Sequence, residues 1–423
     1  MSQSDTSTLK TADGISLKLS LQRSLRRKKR NALLLVAPLF LFILITFIIP
    51  IAYMLVRSVD NQIFAEILPT TAPLLAKWDP LSGNTPDEEV FKAFITDGKV
   101  AAQAKTINRL GKRLNYEKSG ISSLFRKTGR NLRKLEPEKL TTSYKEALIK
   151  IDKKWGQVDT WEILHRESGK YTKSYFLSAV DMKYDANGMQ WKDDDSRIYL
   201  NLFKRTLWLS FLITFLTVLL GYPIAYLLAT LKTSTSNLLI ILVLLPFWTS
   251  LLVRTSSWIA LLQKEGVIND FLFAIGLITD EGRLAMIHNQ TGTVIAMTHI
   301  LLPFMILPLF SVMKTINPSY VRAARSMGAT SFTAFRRVYF PNTIAGIGAG
   351  GILVFILSIG YYITPALVGG TQGTLISNFI AYHISGSLNW GLAAALGTIL
   401  LLLVVALYIL YDKIVGIDNM KLG

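Results

Sequence analysis

Six long apolar stretches constrain this sequence more than any other feature. Each has about 20–30 residues, the length that an α-helix needs to cross the hydrocarbon layer of a bilayer. In addition, 51% of the 423 residues are hydrophobic, which is high for a water-soluble domain. The sequence therefore predicts an all-α membrane protein with six transmembrane helices, near Ala32–Val56, Leu202–Leu231, Leu238–Leu262, Thr293–Met313, Ile344–Leu367 and Leu392–Tyr411.

The charges around these stretches predict the orientation of the chain. Lys and Arg number 46 against 28 Asp and Glu, a net charge of +18. The basic cluster Arg26–Arg30 precedes the first apolar stretch, and such clusters favour the cytoplasmic side. That stretch is too long for the apolar part of a cleaved signal peptide. We therefore expect a basic cytoplasmic N-terminus at residues 1–31, a first membrane helix at 32–56 and, after six spans, a cytoplasmic C-terminus.

A polar segment, residues 57–201, separates the first two apolar stretches and is long enough for a small domain. Within it, Tyr144, Leu148, Ile151 and Trp155 form one apolar stripe at helical spacing. The predicted topology places the segment outside the cytoplasm. We expect a mostly helical extracytoplasmic domain, inserted between helices 1 and 2, that acts as a spacer or as a surface for a partner.

Several classes of function are disfavoured. The sequence has no cysteine and none of the metalloprotease, nucleophile-elbow or P-loop motifs, so we predict no catalytic residue, no metal site and no nucleotide site in this chain. No ordered basic module for nucleic acid is present either. Spans two to six hold no Asp or Glu before Asp412, which argues against an ion-coupled transporter. Arg254 and His299 are interpreted as a lipid-headgroup contact and a structural residue.

The stretch "NPSYVRAARSMGATSFTAFRRVYFP", residues 317–341, is a compact basic loop between two apolar spans. Asn317 can cap a short helix, and Gly328 can end it in a left-handed turn. A second short helix would then run until Pro341. Tyr320, Ala323, Ala324 and Met327 share one helical face. We expect a surface that inserts into a groove of another protein.

This loop resembles the EAA loop of the permease subunits of ATP-binding-cassette importers. Ala323, Ala324, Gly328 and Pro341 match that pattern, and Arg322 stands where the pattern has Glu. The resemblance implies that these five residues couple the permease to an ATPase.

The likeness extends to "LLPFWTSLLVRTSSWIALLQKEGVIN", "ILLPFMILPLFSVM" and "LVGGTQGTLISNFI", which are similar to spermidine/putrescine-type permeases. It covers Tyr199 to the C-terminus and the first helix, whereas residues 57–201 depart from it. It implies the type I importer permease fold, with a core at 202–423 and a coupling loop at 314–343. It also implies a multi-pass protein of the bacterial inner membrane that is no enzyme. The implied partners are membrane lipid, a second permease subunit, an extracytoplasmic binding protein and an ATPase dimer that carries the ATP and Mg.

The resemblance favours a polyamine as the solute, although the stretch "SIGYYITPALVGG" lacks the acidic residue that polyamine-type relatives often carry there. We therefore predict an aromatic translocation path at Trp248, Trp258, Tyr361 and Tyr362. An amino-acid-like or opine-like solute stays open. So do a secondary transporter or channel, and a membrane-anchored sensor that works through residues 57–201.

Overall fold

The computed structural model of the protein describes residues 17–137, 142–185 and 188–415. The chain divides into two compact units, residues 1–57 and residues 58–423. Five helices of the described residues are long and apolar enough to cross a membrane, and there are six candidates if one bent pair of helices counts as a single span. The expectation of a mostly helical membrane protein is therefore confirmed, while the count of six spans depends on that bent pair.

The first unit is one long helix. It consists of α1 (Leu17–Ile43), a π-helical turn (Leu44–Ile48) and α2 (Ile49–Arg57). The candidate span Ser24–Arg57 includes the predicted first membrane helix, and none of its most apolar window is buried. So large an exposed apolar surface requires lipid or another protein segment around it.

Residues 58–198 of the second unit form a mostly helical domain with one β-hairpin, in which β1 (Met182–Asp185) pairs antiparallel with β2 (Gly188–Trp191). The helices are α3 (Ile63–Ile67), α4 (Thr71–Leu75), α5 (Glu88–Gln103), α6 (Ile107–Leu114), α7 (Ile121–Leu132), α8 (Tyr144–Ile151), α9 (Val158–Arg166) and α10 (Ser174–Ala179).

Aromatic side chains form the centre of this inserted domain. Trp155 and Trp161 are fully buried and lie 5.5 Å apart between ring centroids. Both indole N–H groups are satisfied, since Trp155 donates to Thr128 Oγ1 and Trp161 donates to the Trp155 carbonyl, each at 2.9 Å. The domain therefore has its own apolar core, as a segment of this length needs in order to fold.

The predicted apolar stripe is correct in burial but not in helix length. Leu148 and Trp155 are fully buried, and Tyr144 and Ile151 pack against the same core. However, α8 ends at Ile151, because Asp152 is extended and its carboxylate accepts a hydrogen bond from Lys154 N at 3.2 Å. Trp155 therefore enters the core from a short 3₁₀ turn rather than from α8.

A buried ionic network links α6, α9 and α10. The Arg113 guanidinium lies 2.7 Å from Glu167 Oε2 and 2.8 Å from Glu117 Oε1, and its Nε donates to Tyr175 OH at 2.7 Å. Burial alone would lower the pKa of Arg113, but Tyr175, Glu167 and Glu117 together raise it above its ordinary value. The network holds Tyr175 in one orientation.

Two contacts attach the inserted domain to the helices that follow it, α11 (Tyr199–Thr230) and α22 (Trp390–Val415). The Asp181 carboxylate is fully buried and accepts hydrogen bonds from Ile198 N at 3.2 Å and Leu200 N at 2.7 Å, which caps the start of α11. The Tyr175 ring fills the space above Gly391, where a Cβ would lie 2.3 Å from the ring. The domain is thus joined firmly to one end of the membrane helices.

The other elements of the second unit are nearly all helices, with a 3₁₀ turn at Leu245–Trp248 and a π-helical turn at Phe335–Tyr339. They are α12 (Thr233–Leu244), α13 (Leu251–Leu262), α14 (Val267–Ala274), α15 (Gln290–Thr315), α16 (Pro318–Ser326), α17 (Ser331–Ala334), α18 (Phe340–Gly360), α19 (Ile363–Val368), α20 (Gly370–Gly373) and α21 (Ile376–Ser385).

Helices α11, α15 and α18 form the centre of the membrane region and approach one another closely. A Cβ at Gly350 would lie 2.7 Å from Met305 Sδ, and one at Gly346 would lie 3.1 Å from Leu309 Cα. The G-x-x-x-G spacing therefore serves tight helix packing, as such spacing predicts in a membrane.

Two predicted spans differ from the structure. The stretch Leu238–Leu262 is bent by 95° between Trp248 and Leu251. Pro246 favours the break because it lacks an N–H group, and Ser250 starts a new helix by accepting a hydrogen bond from Val253 N at 3.2 Å. The stretch Ile344–Leu367 is likewise interrupted, since α18 ends at Gly360 and α19 begins at Ile363. Pro365 then falls in a first turn, where its missing N–H costs little.

Candidate functional site

The predicted coupling loop folds as two helical segments around a glycine turn. Asn317 Oδ1 accepts a hydrogen bond from Ser319 N at 2.9 Å and caps α16. At the other end Gly328 has φ +89°, and its N–H donates to the Arg325 carbonyl at 3.0 Å. Ala329 N donates to the Ala324 carbonyl at 3.1 Å. These two bonds with a left-handed residue are a Schellman cap, so the predicted end of the first helix is confirmed.

The loop presents apolar side chains to solvent. Met327 is 82% exposed, Phe332 is 71% exposed and Tyr320 is 55% exposed. Ala323 is also exposed, whereas Ala324 turns inward and is buried. The predicted face is therefore confirmed except at Ala324. We call Tyr320, Met327 and Phe332 the loop patch.

Basic residues surround the loop patch. Arg322, Arg325, Arg336 and Arg337 are all exposed. Within the described part of the chain, Arg322 forms no salt bridge, and it stands where the EAA pattern has an acid. The loop is thus an apolar patch with a positive rim, which suits a partner surface that has an apolar groove and acidic edges.

Stacked aromatic rings attach the loop to α11. Phe335 stacks on Tyr339, with ring centroids 5.9 Å apart and planes at 21°. Tyr339 in turn meets Tyr226 edge-on at 5.3 Å, and Phe335 meets Tyr222 edge-on at 6.3 Å. Rings in such edge-on contacts resist sliding past one another. A displacement of the loop would therefore be carried into α11.

The expectation that Pro341 ends the second short helix is wrong. Thr330 Oγ1 caps this segment through Thr333 N at 3.2 Å, and helical structure then continues from Ser331 to Gly360. Pro341 lies in the first turn of α18, directly after the π-helical turn. The wider turn accommodates the proline ring, and Asn342 Nδ2 donates to the Val338 carbonyl at 2.6 Å. The loop and the membrane helix are therefore one continuous lever.

A second cluster lies where α13, α15 and the α18–α19 break come together. Trp258 Nε1 donates to His299 Nδ1 at 3.2 Å, and the two rings are 5.2 Å apart between centroids. Arg254, one turn before Trp258, is close enough to interact electrostatically with both His299 and Tyr361. We call Arg254, Trp258, His299 and Tyr361 the membrane cluster.

The structure thus brings together only two of the four residues predicted for the translocation path. Trp248 is 74% exposed at the end of the 3₁₀ turn before the bend. Tyr362 is also exposed, and its carbonyl accepts a hydrogen bond from Asn378 Nδ2 at 2.7 Å. Neither has a ring contact with the membrane cluster within the described residues. Arg254 and His299, interpreted from sequence as peripheral, take their places. An ionisable residue inside an apolar span is a signal that could have identified both.

Residues 206–415 match the profile of the family described as binding-protein-dependent transport system inner membrane component. The spermidine/putrescine transport system permease protein PotB of Haemophilus influenzae is 33% identical over 222 residues, 52% of this chain and 77% of that protein. This chain belongs to that family of inner membrane components.

Other relatives agree with this assignment. PotB of Escherichia coli is 30% identical over 224 residues, 53% of this chain and 81% of that protein. The inner membrane ABC transporter permease protein YdcU of Escherichia coli is 33% identical over 227 residues, 51% of this chain and 72% of that protein. Among solved structures, the chain is similar to one from a bacterial ABC transporter involved in the import of the acidic polysaccharide alginate, at 18% identity and a TM-score of 0.46, over 59% of this chain and 85% of that one.

As a member of this family, the protein is a multi-pass inner membrane component of a transport system. The family match begins at residue 206, so most of the inserted domain lies outside it. That domain is a feature of this chain that the family match does not cover.

Proposed function

We propose that this chain is the transmembrane permease subunit of an ATP-driven, binding-protein-dependent importer of polyamines such as spermidine and putrescine. The observation that carries the proposal is the exposed loop patch on a glycine-hinged loop that continues directly into a membrane helix. The similarity to PotB supports the polyamine as solute. In this proposal the chain is no enzyme, and a separate ATPase dimer binds ATP and Mg.

The loop patch would insert into a groove on the ATPase. Apolar anchors of this kind supply much of the binding free energy when a partner groove buries them. Arg322, Ala323, Ala324, Gly328 and Pro341 would shape and present that surface. Closure of the ATPase dimer would push on the loop, and the aromatic stack at Phe335 and Tyr339 would pass the displacement to α11 and α18.

The proposed topology puts the inserted domain outside the cell. This domain is attached near Tyr199, at the start of α11, whereas the loop contacts Tyr222 and Tyr226, near its end. At 1.5 Å per residue, Tyr199 and Tyr226 are roughly 40 Å apart along the helix, more than the hydrocarbon thickness of a bilayer. If the loop meets a cytoplasmic ATPase, the inserted domain is extracytoplasmic, on the side where a solute-binding protein would dock.

The translocation path would follow the membrane cluster. Arg254 and His299 carry ionisable groups within apolar helices, and such groups face a protein interior or a water-filled cavity rather than lipid. His299 is nevertheless exposed in the isolated chain. A second permease subunit opposite this face would close the path, with Trp258 and Tyr361 offering aromatic faces to ammonium groups.

One observation favours a second candidate solute. Helices α11, α13, α15 and α18 contain no Asp or Glu, whereas α13 carries Arg254. A path of this charge on its own suits a solute with a carboxylate, such as an amino-acid-like molecule. Competition of unlabelled spermidine and unlabelled amino acids against radiolabelled putrescine uptake separates the two candidates.

The direct test is reconstitution of this chain with its second permease, ATPase and binding protein in proteoliposomes. We expect uptake of labelled spermidine that requires ATP and loaded binding protein. Uptake without the ATPase, driven by an ion gradient, would instead make the protein a secondary transporter.

A paired substitution tests the docking surface. Met327→Glu should prevent co-purification of the ATPase, because it places a charge in the proposed apolar contact. Leu81→Glu is the matched control, since Leu81 is 94% exposed but lies in the inserted domain. Equal ATPase recovery with both variants would refute the docking role of the patch.

A further inference from the structure

Arg254 is a cation without a partner in its own chain. Its Nε is buried and has no hydrogen-bond partner, and within the described residues its guanidinium forms no ion pair. The nearby side chains, His299 and Tyr361, carry no negative charge at neutral pH. A buried charge of this kind is costly unless an opposite charge or several hydrogen bonds compensate it.

The local backbone increases the need for a negative group. Ser250 caps α13, so Arg254 lies in the first turn of that helix. The first turn of a helix carries a partial positive charge, which adds to the charge of the guanidinium. Two positive features therefore point to the same place, and an acid there would be favoured by both.

No acid of the neighbouring membrane helices can fill this role. Across α11, α12, α13, α15, α18 and α19, all of which the structure describes, the sequence contains neither Asp nor Glu. The compensating charge must therefore come from outside these helices.

Arg283 shows the opposite situation in the same chain. Its guanidinium lies 2.7 Å from Asp270 Oδ1, 2.7 Å from Asp280 Oδ1 and 3.2 Å from Glu265 Oε2. The protein thus provides carboxylates for an arginine outside the apolar spans. The absence of such groups at Arg254 sets this residue apart.

We propose that Arg254 pairs, in the assembled importer, with a carboxylate of the second permease subunit. The inference rests on the proposed function, because it requires a two-subunit permease. A polycationic solute cannot supply the negative charge, and it needs one itself, since this chain offers it only aromatic faces in the membrane. One acidic side chain on the facing subunit would satisfy both requirements, and a passing ammonium group would compete with Arg254 for it.

A double-mutant cycle in the complete complex tests the proposal. Arg254→Met is combined in turn with Asn or Gln substitutions of each acid in the membrane spans of the co-purified second permease. Subunit association is measured by energy transfer between labelled subunits in nanodiscs, without solute or ATP. Arg254→Lys, which keeps the charge, should retain most of the association, and Arg283→Met is the control for an arginine with its own acids.

We expect Arg254→Met to weaken association about tenfold or more, as the loss of one partner from a buried charge pair does. This effect should disappear in one particular acid variant of the second permease, and Arg283→Met should show no such dependence. Additive effects with every acid variant would overturn the proposal. A change confined to the competition by carboxylate-bearing solutes would also overturn it, because the solute would then be the partner of Arg254.

The outcome can be separated from the proposed function. If the unmodified complex fails to take up polyamine in an ATP-dependent manner, the proposed function fails, whereas the association cycle is still measurable. If uptake is normal but no acid couples to Arg254, only the pairing is refuted.

Discussion

Replacing Gly328 by valine tests whether the loop turn transmits ATPase closure. Gly328 has φ +89°, and a Cβ built on it meets nothing within 4 Å. The cost therefore comes from the backbone and not from a clash. A left-handed conformation costs an L-residue roughly 1–2 kcal/mol, and a β-branched residue lies at the upper end of that range. The alternative for the chain is to open the turn and lose the two hydrogen bonds of the Schellman cap, each with a net contribution of about 1 kcal/mol.

Either route changes the angle between α16 and α17 without touching the packed core. A penalty of roughly 2 kcal/mol alters the population of the native turn about thirtyfold. We expect solute-stimulated ATP hydrolysis of the assembled complex in proteoliposomes to fall at least fivefold in Gly328→Val. Gly328→Asn should fall much less, because asparagine tolerates the left-handed region.

Gly83→Val is the matched control. Gly83 has φ +70° and also has nothing within 4 Å of a Cβ, so the substitution carries a similar backbone cost in the inserted domain. We expect Gly83→Val to leave stimulated hydrolysis unchanged. Equal losses in the two variants would mean that general destabilisation explains the effect, and normal stimulation in Gly328→Val would refute the reasoning.

Four further outcomes are expected. Gly350→Leu should separate α18 from α15, because a Cβ at Gly350 already lies 2.7 Å from Met305 Sδ, and it should lower the thermal unfolding temperature in detergent while Gly360→Leu, with nothing within 4 Å, does not. Arg113→Met leaves the 1%-exposed Glu167 uncompensated and should destabilise the full chain by about 3–5 kcal/mol in denaturant unfolding; a loss below about 1 kcal/mol would contradict a buried network. Arg322→Ala should not change ATPase co-purification, since Arg322 is exposed, and loss of the ATPase would show that this arginine is an anchor. Burial lowers the pKa of His383 to about 4, so the unfolded chain takes up a proton that the folded chain does not as the pH falls from about 6.5; thermal stability should decrease over that interval, and less so in His383→Gln.

Much of the loop could be predicted from the sequence, because its signals are local. Asn317 and Gly328 specify where α16 begins and ends through hydrogen bonds within a few residues, whatever the rest of the chain does. The same holds for the membrane helices, because the length of an apolar run is a property of the sequence alone.

Breaks within the apolar runs were harder to predict, since a proline can end a helix or lie in its first turn. At Pro246 and Pro365 the chain breaks, whereas at Pro341 a π-helical turn lets it continue. The choice depends on which neighbouring groups satisfy the backbone that the proline leaves unpaired. In Pro341's turn that includes the Asn342 side chain, which donates to the Val338 carbonyl.

Only the tertiary structure decided the membrane cluster and the attachment of the inserted domain. Arg254, His299 and Tyr361 come from three separate helical segments, and no local pattern relates them. Tyr175 and Gly391 meet across more than half of the chain. Such contacts form because tight packing leaves one space for each side chain, and that space is defined by helices distant in sequence. The sequence by itself determined a membrane protein with a glycine-hinged docking loop, whereas long-range packing determined which charge was left without a partner.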